Sequence, residues 1–288
     1  MEIILGKTAG FCYGVKEAVN GAIKQAKDNK KIYCLGEIVH NKQVLENLRK
    51  KGIEFVEDLK QIKDNSKVII RAHGVPKEIY EIAKQKGIDI IDHTCPNVLK
   101  IHKIVEEYQK KGYYIILCGS NTHPENLGTI SYCQKGKYIV VENIEEIIGN
   151  IDKINKDENK KILLIAQTTY NFEKFLNIEK WLKNNLDKNI DFVVKNTICK
   201  ATQLRQTETE EISKNVDCMI IIGGKKSSNT KKLYEIASKK CKKAICIETE
   251  KEIELKNIEG AKKIGIMAGA STPKESIDKV LTKIEKLC

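Results

Sequence analysis

Three cysteines stand at corners where an apolar run hands over to a charged, periodic segment: Cys12 in GFCYG, Cys95 in HTCPN and Cys199 in NTICK. A thiol directly before a helix feels the positive end of the helix dipole, which favours the thiolate, the form that binds metals. The three share a spacing. Gly36, Gly119 and Gly223 each follow one of them by 24 residues, and His40, His123 and Ser227 stand four residues beyond those glycines. A further polar turn comes later in each stretch, AHG at His73, QTT at Thr168 and GAST at Ser271. Three thiolates brought together suit zinc with an open fourth position or an iron–sulfur cluster with one iron not held by protein, and ligand softness does not separate the two.

Around these corners the residue types change to imidazoles, hydroxyls and an amide: His40, His73, His123, Ser227, Ser228, Asn229 and Ser271. On glycine-rich turns at helix starts such groups cradle phosphate oxygens. No P-loop and no GxGxxG is present, so a nucleotide is not indicated. The carboxylate of Glu125, in THPEN, occupies a comparable corner. It reads either as a proton donor with Thr168 as a relay, or as a first-turn glutamate stabilised by the dipole of a helix opened by Pro124. His93 and His102 read as structural residues, the latter inside a helix. The other cysteines, Cys34, Cys118, Cys133, Cys218, Cys241, Cys246 and Cys288, read as small apolar side chains, and the absence of any CxxC argues against a zinc ribbon or a redox dithiol.

The elements that must hold these corners are short apolar runs alternating with amphipathic segments. KIYCLGEIVH, KVIIRAHG, IDIIDHTC, YYIILCGSNTH, YIVVE, KILLIAQTT, IDFVVKNTIC, DCMIIIGG, AICIE and KIGIMAGAST read as buried strands. KEIYEIAKQKG, VLKIHKIVEEYQKKG, KFLNIEKWLKNNL and TKKLYEIASKK carry helical periodicity. Alternation of this kind predicts an α/β protein with mainly parallel sheets. With the matched spacings it predicts three similar α/β domains, 12–95, 96–198 and 199–288. The third lacks a final strand, and the opening EIIL, which leads into Cys12 as DIID leads into Cys95, is the expected substitute, so that 1–11 completes that domain. Three units closed in this way form a pseudo-threefold ring with one cysteine from each unit at its centre. In parallel sheets ligands bind at the carboxyl ends of the strands, where the polar residues above all fall.

Bulk properties narrow the class. The formal net charge is +12, yet only three of the 51 basic residues are arginines, Arg49, Arg71 and Arg205, and the lysines are spread over every expected helix. Nucleic-acid readers concentrate arginine and cluster their charge, so the basic balance reads as solvated helix faces that attract a small anion or an acidic redox partner. No apolar stretch approaches the roughly 18 residues of a spanning helix, and the first residues carry too short an apolar run for a signal peptide. Ten cysteines without a small-scaffold pattern suit a reducing compartment. A cytoplasmic protein bound neither to nucleic acid nor to membrane is expected.

GFCYGV, GEIVHN, RAHGVP, TCPNV, THPE, QTT, NTIC, KKSSNT and AGAST, in this order across the whole chain, resemble the IspH (LytB) family of 4-hydroxy-3-methylbut-2-enyl diphosphate reductases. The resemblance implies a trefoil of three α/β domains around a [4Fe-4S] cluster, with Cys12, Cys95 and Cys199 as its ligands. It implies that His40, His73, His123, Ser227, Ser228, Asn229 and Ser271 bind the diphosphate, that Glu125 delivers a proton and that Thr168 lies near the substrate hydroxyl. The activity implied is the reductive removal of an allylic hydroxyl, the last step of the methylerythritol phosphate route to isoprenoids, with a ferredoxin or flavodoxin as electron donor. Tyr13 after the first cysteine and Lys226 before SSN depart from the family's common residues, which bears on surface charge or packing and not on the chemistry.

Overall fold

The structure, a computed structural model, describes residues 1–28, 32–155 and 160–287. Cys288, expected to be a buried thiol, lies outside the described residues. Among these residues twelve strands form three four-stranded sheets. The strands are β1 (Glu2–Leu5), β2 (Ile32–Leu35), β3 (Ile53–Val56), β4 (Lys67–Ile70), β5 (Asp89–Asp92) and β6 (Tyr114–Cys118). They continue with β7 (Tyr138–Val141), β8 (Lys161–Ala166), β9 (Asp191–Val194), β10 (Cys218–Ile222), β11 (Lys243–Ile247) and β12 (Lys263–Ala268). The sheet orders are β3-β2-β4-β5, β7-β6-β8-β9 and β11-β10-β12-β1.

One topology is therefore used three times. In each sheet the second strand lies to one side of the first and the third and fourth lie to the other. The third sheet takes its last strand from the start of the chain, β1 pairing in parallel with β12 with Glu2 opposite Lys263 and Leu5 opposite Ile266. All the apolar runs named above are strands. One strand was not anticipated: β3, IEFV, carries a glutamate and buries its two ends, Ile53 and Val56, while Glu54 is exposed. It is an edge strand, so one face needs no apolar cover and the hydrophobic signal is half as long.

The central strands are continuous β-branched and apolar runs because both faces are covered. YIILC of β6 and CMIII of β10 are buried at every position. In the β6–β9 sheet Tyr114, Ile116 and Leu164 pack with Phe175, Ile178 and Leu182 of the helix Phe172–Asn185. The other face carries Ile115, Leu117, Leu163 and Ile165 against Ile101 and Val105 of the helix Pro96–Lys110. The β10–β12 sheet repeats this with Val280 and Ile284 on one face and Leu233 and Ala237 on the other. Alternation along the strand sorts side chains to the two faces, and helical spacing supplies the matching stripe.

The chain packs as two compact units. The first comprises Met1–Lys31, Glu37–Ile53 and Lys200–Cys288, and holds the sheet containing β1. The second comprises Ile32–Gly36 and Glu54–Cys199, and holds the other two sheets. Among the described residues no helix is long and apolar enough to cross a membrane.

Candidate active site

Parallel sheets open a crevice where the connections leave two neighbouring strands in opposite directions, which here is between the first and third strand of each sheet. The backbone at these strand ends repeats threefold. The amides of Gly36, Gly119 and Gly223 donate to the carbonyls of Val56, Val141 and Ile247 at 2.7, 2.8 and 2.9 Å. The amides of Cys12, Cys95 and Cys199 donate to the carbonyls of Ala270, Ala72 and Thr168 at 3.1, 3.0 and 3.0 Å. Each acceptor lies two residues beyond the third strand of its sheet. By this register Thr168 corresponds to Ala72 and Ala270, and Thr169 to His73 and Ser271. The matched polar turn thus slips by one residue in the middle repeat.

Each cysteine directly precedes a helix: Tyr13–Asp28, Pro96–Lys110 and Lys200–Ser213. All three stand outside any disulfide and are partly exposed, whereas Cys34, Cys118 and Cys218 are buried within β2, β6 and β10. Burial pushes the Cys34 and Cys118 thiols far up, to about 12 for Cys34 despite the nearby Arg71, which identifies them as packing residues. The loops ahead of the corner cysteines are pinned by side chains. Arg205 donates from Nε to the Thr8 carbonyl and from Nη2 to that of Gly10, both at 2.9 Å. Glu208 accepts from the Lys7 and Thr8 amides at 2.6 and 2.8 Å. In the second unit Asp92 accepts from the Thr94 amide at 2.8 Å, and Thr197 Oγ1 accepts from the Ala166 amide at 2.8 Å. In the second unit Cys95 and Cys199 are two partly exposed soft donors on braced loops at helix starts, the chemistry that a thiolate-held metal group needs.

In the second unit His73 and His123 meet edge to face, ring centroids 5.4 Å apart. His123 caps the helix Pro124–Ile130, its Nδ1 accepting the Glu125 amide at 3.2 Å, so in the neutral ring Nε2 carries the proton. Glu125 is only 2% exposed, and both its carboxyl oxygens engage one residue. Oε1 accepts the Thr168 amide at 2.6 Å and Oε2 the Thr168 hydroxyl at 2.7 Å. Desolvation raises its pKa to about 7 although both Thr168 hydrogen bonds pull it down. A dipole-stabilised first-turn glutamate would shift the other way. The Thr168 carbonyl in turn accepts the Cys199 amide, so Glu125, Thr168 and Cys199 form one chain of contacts.

The first unit holds Cys12, His40, Ser227, Ser228, Asn229 and Ser271. Ser227 caps the helix Ser228–Lys240, and Glu37 Oε2 lies 3.1 Å from His40 Nδ1. Asn229 is 3% exposed with neither its amide nitrogen nor its oxygen hydrogen-bonded, and the buried Ser271 hydroxyl likewise lacks a protein partner. Buried polar atoms left without partners cost about 1–3 kcal/mol each, so their presence beside a helix start points to an anionic ligand that satisfies them. His40 is seated on this loop through its backbone: a Cβ on Gly224 would lie 2.1 Å from the His40 carbonyl oxygen. Gly224→Ala is accordingly expected to displace residues 224–229 and lower the melting temperature, whereas an unchanged melting curve and unchanged ligand binding would show that the backbone yields.

His93 and His102 belong to the scaffold. The amide of His93 continues the strand pairing to the Ile70 carbonyl. His102 lies inside its helix, stacked on Tyr132 at 4.6 Å, and burial pushes its pKa down to about 4. Beside it Gly74 turns at φ 74°, and a Cβ there would meet His102 and Thr94 at 3.2 Å, so only glycine lets the chain bend between His73 and Pro76. Sequence reasoning missed Arg205 and Glu208. The scarcity of arginine was the available signal, since a chain that uses lysine on its surface keeps arginine for forked contacts.

Comparison with known proteins agrees with this geometry. The family model described as LytB protein matches residues 3–285. The 4-hydroxy-3-methylbut-2-enyl diphosphate reductase of Clostridioides difficile is 41% identical, with both chains covered completely. The protein of the same name from Aquifex aeolicus is 40% identical over all of this chain and 97% of its own. Among solved structures, the E-1-hydroxy-2-methyl-but-2-enyl-4-diphosphate reductase of Plasmodium falciparum superposes with a TM-score of 0.91 at 34% identity, covering 98% of this chain and 87% of that one. Threefold cysteine corners, repeated sheets and full-length similarity lead to one conclusion: the chain belongs to the LytB family.

Proposed function

We propose that the protein reduces (E)-4-hydroxy-3-methylbut-2-enyl diphosphate, with two electrons and two protons, to isopentenyl and dimethylallyl diphosphate and water. In this reading Cys12, Cys95 and Cys199 hold a [4Fe-4S] cluster. When bound, such a cluster supplies the electrons and an iron open to act as a Lewis acid. The chain's own residues do the rest. His40, His73, His123, Ser227, Ser228, Asn229 and Ser271 bind the diphosphate and so fix the allylic carbon in one orientation. Glu125, protonated near neutral pH, gives its proton to the departing hydroxyl, and Thr168 holds the carboxyl in place. Burial of the acid keeps bulk water from competing for that proton. A ferredoxin or flavodoxin supplies the electrons, drawn to the basic surface.

The buried Glu125 carboxyl, raised to about 7 and gripped by Thr168, carries this reading, because a reduction that expels water needs a proton donor in a site closed to solvent. The test is turnover of the diphosphate by anaerobically prepared protein with a chemical reductant, with both five-carbon diphosphates as products. Turnover without reductant would instead mark a dehydratase. Asn229→Ala is expected to raise KM by about 10- to 100-fold, the ~1.5–3 kcal/mol of a hydrogen bond to a charged group. Steady-state kinetics would remove Asn229 from the cradle if KM stayed put.

A further inference from the structure

The side chain of Asn97, on the first turn of the helix that Cys95 begins, reaches across to the other corner cysteine of its unit, Cys199. Its amide Nδ2 donates to Cys199 Sγ at 3.3 Å, a contact between residues 102 apart in sequence. We propose that Asn97 is a positioning residue that donates an N–H···S hydrogen bond to the Cys199 thiolate and raises the reduction potential of the group that thiolate holds. The inference rests on the assignment of Cys199 as a cluster ligand.

Hydrogen bonds to ligand sulfurs and solvent exposure are two levers by which a protein sets a cluster potential, because each added electron accumulates on the sulfurs and a donor there stabilises the reduced form. Cys199 is partly exposed and its backbone amide is committed to the Thr168 carbonyl, so the backbone of residue 199 contributes no donor to its own sulfur. Pro96, the first residue of the helix, has no amide hydrogen to offer either. Asn97 fills that role, and its place is set by the helix: Cys95 accepts the amides of Val98 and Leu99 at 2.9 and 3.1 Å, which orients the first turn. One helix start thus serves two cysteines, carrying the thiol of Cys95 and solvating that of Cys199.

The test compares wild type, Asn97→Leu and Asn97→Ala, each purified anaerobically, by iron and sulfide analysis, redox titration followed by electron paramagnetic resonance, and resonance Raman spectroscopy. Both variants are expected to keep full iron and sulfide content. Their midpoint potential should move negative by about one decade in the reduction equilibrium, ~59 mV for a one-electron couple. The stretching band of the iron–cysteine bonds should move to higher frequency, since the hydrogen bond that weakens one of them is gone. Full cluster content with unchanged potential and band would overturn the inference, as would loss of the cluster in both variants, which would make Asn97 a brace for the site and not a tuner. Wild type without iron and sulfide would instead refute the cluster itself.

Discussion

Glu125→Gln is expected to lower turnover of the allylic diphosphate by about 10²- to 10⁴-fold, the range for a general acid, with iron, sulfide and substrate affinity little changed. The substitution is nearly silent for the fold. A glutamine Oε1 can still accept the Thr168 amide now held at 2.6 Å, and the Thr168 hydroxyl can accept from the new amide group where it now donates to Oε2. What disappears is the proton. The native carboxyl is raised to about 7 by burial, so it is protonated below that pH and loses its proton above it. Turnover should therefore fall as pH rises through about 7, and the glutamine variant should lack that limb. The same shift has a stability consequence of known sign. The folded state holds this proton more tightly than the unfolded chain, so the contribution of Glu125 to stability declines as pH rises from its ordinary range through about 7, and Glu125→Gln flattens that decline. Unchanged turnover, or an unchanged alkaline limb, would remove Glu125 from the acid role.

Cys95→Ser is expected to abolish both the cluster and the activity. The Cys95 amide bonds to the Ala72 carbonyl and its carbonyl accepts Val98 and Leu99, so the helix start survives the change and circular dichroism should match wild type. The loss is chemical: a serine hydroxyl is a hard, weakly acidic donor where the site needs a soft thiolate. Colorimetric iron and sulfide, about four of each per wild-type chain for a [4Fe-4S] group, should fall away in the variant. Stoichiometric zinc without sulfide in the wild type would replace the cluster by a single metal, the alternative that three thiolates alone leave open.

Much of this site is legible in the sequence because its parts are local. A strand ending in glycine and a helix opening after a cysteine are both short-range events, and their threefold repetition showed at matched spacings. The threefold strand order, with EIIL beside β12 at the edge of the third sheet, follows from the same pattern. Edge strands are harder. IEFV of β3 carries a charged residue on its open face, and no apolar run announced it. The polar turns AHG, QTT and GAST have no periodicity, and only the hydrogen bond from each cysteine amide fixes which of their residues correspond.

The sequence by itself determined the α/β order, the three cysteine corners, the polar turns and the family. Position alone left Glu125 with two readings, acid or dipole-bound carboxylate, and contained no hint of Asn97. What surrounds each of them is set only by the tertiary structure. Thr168 lies 43 residues from Glu125 and Cys199 lies 102 from Asn97, and neither spacing recurs in any helix or strand. A proton's affinity for a carboxyl depends on how completely water is removed from it, and the electronic state of a sulfur depends on which donor reaches it. Both are properties of packing between distant segments, which local periodicity does not encode.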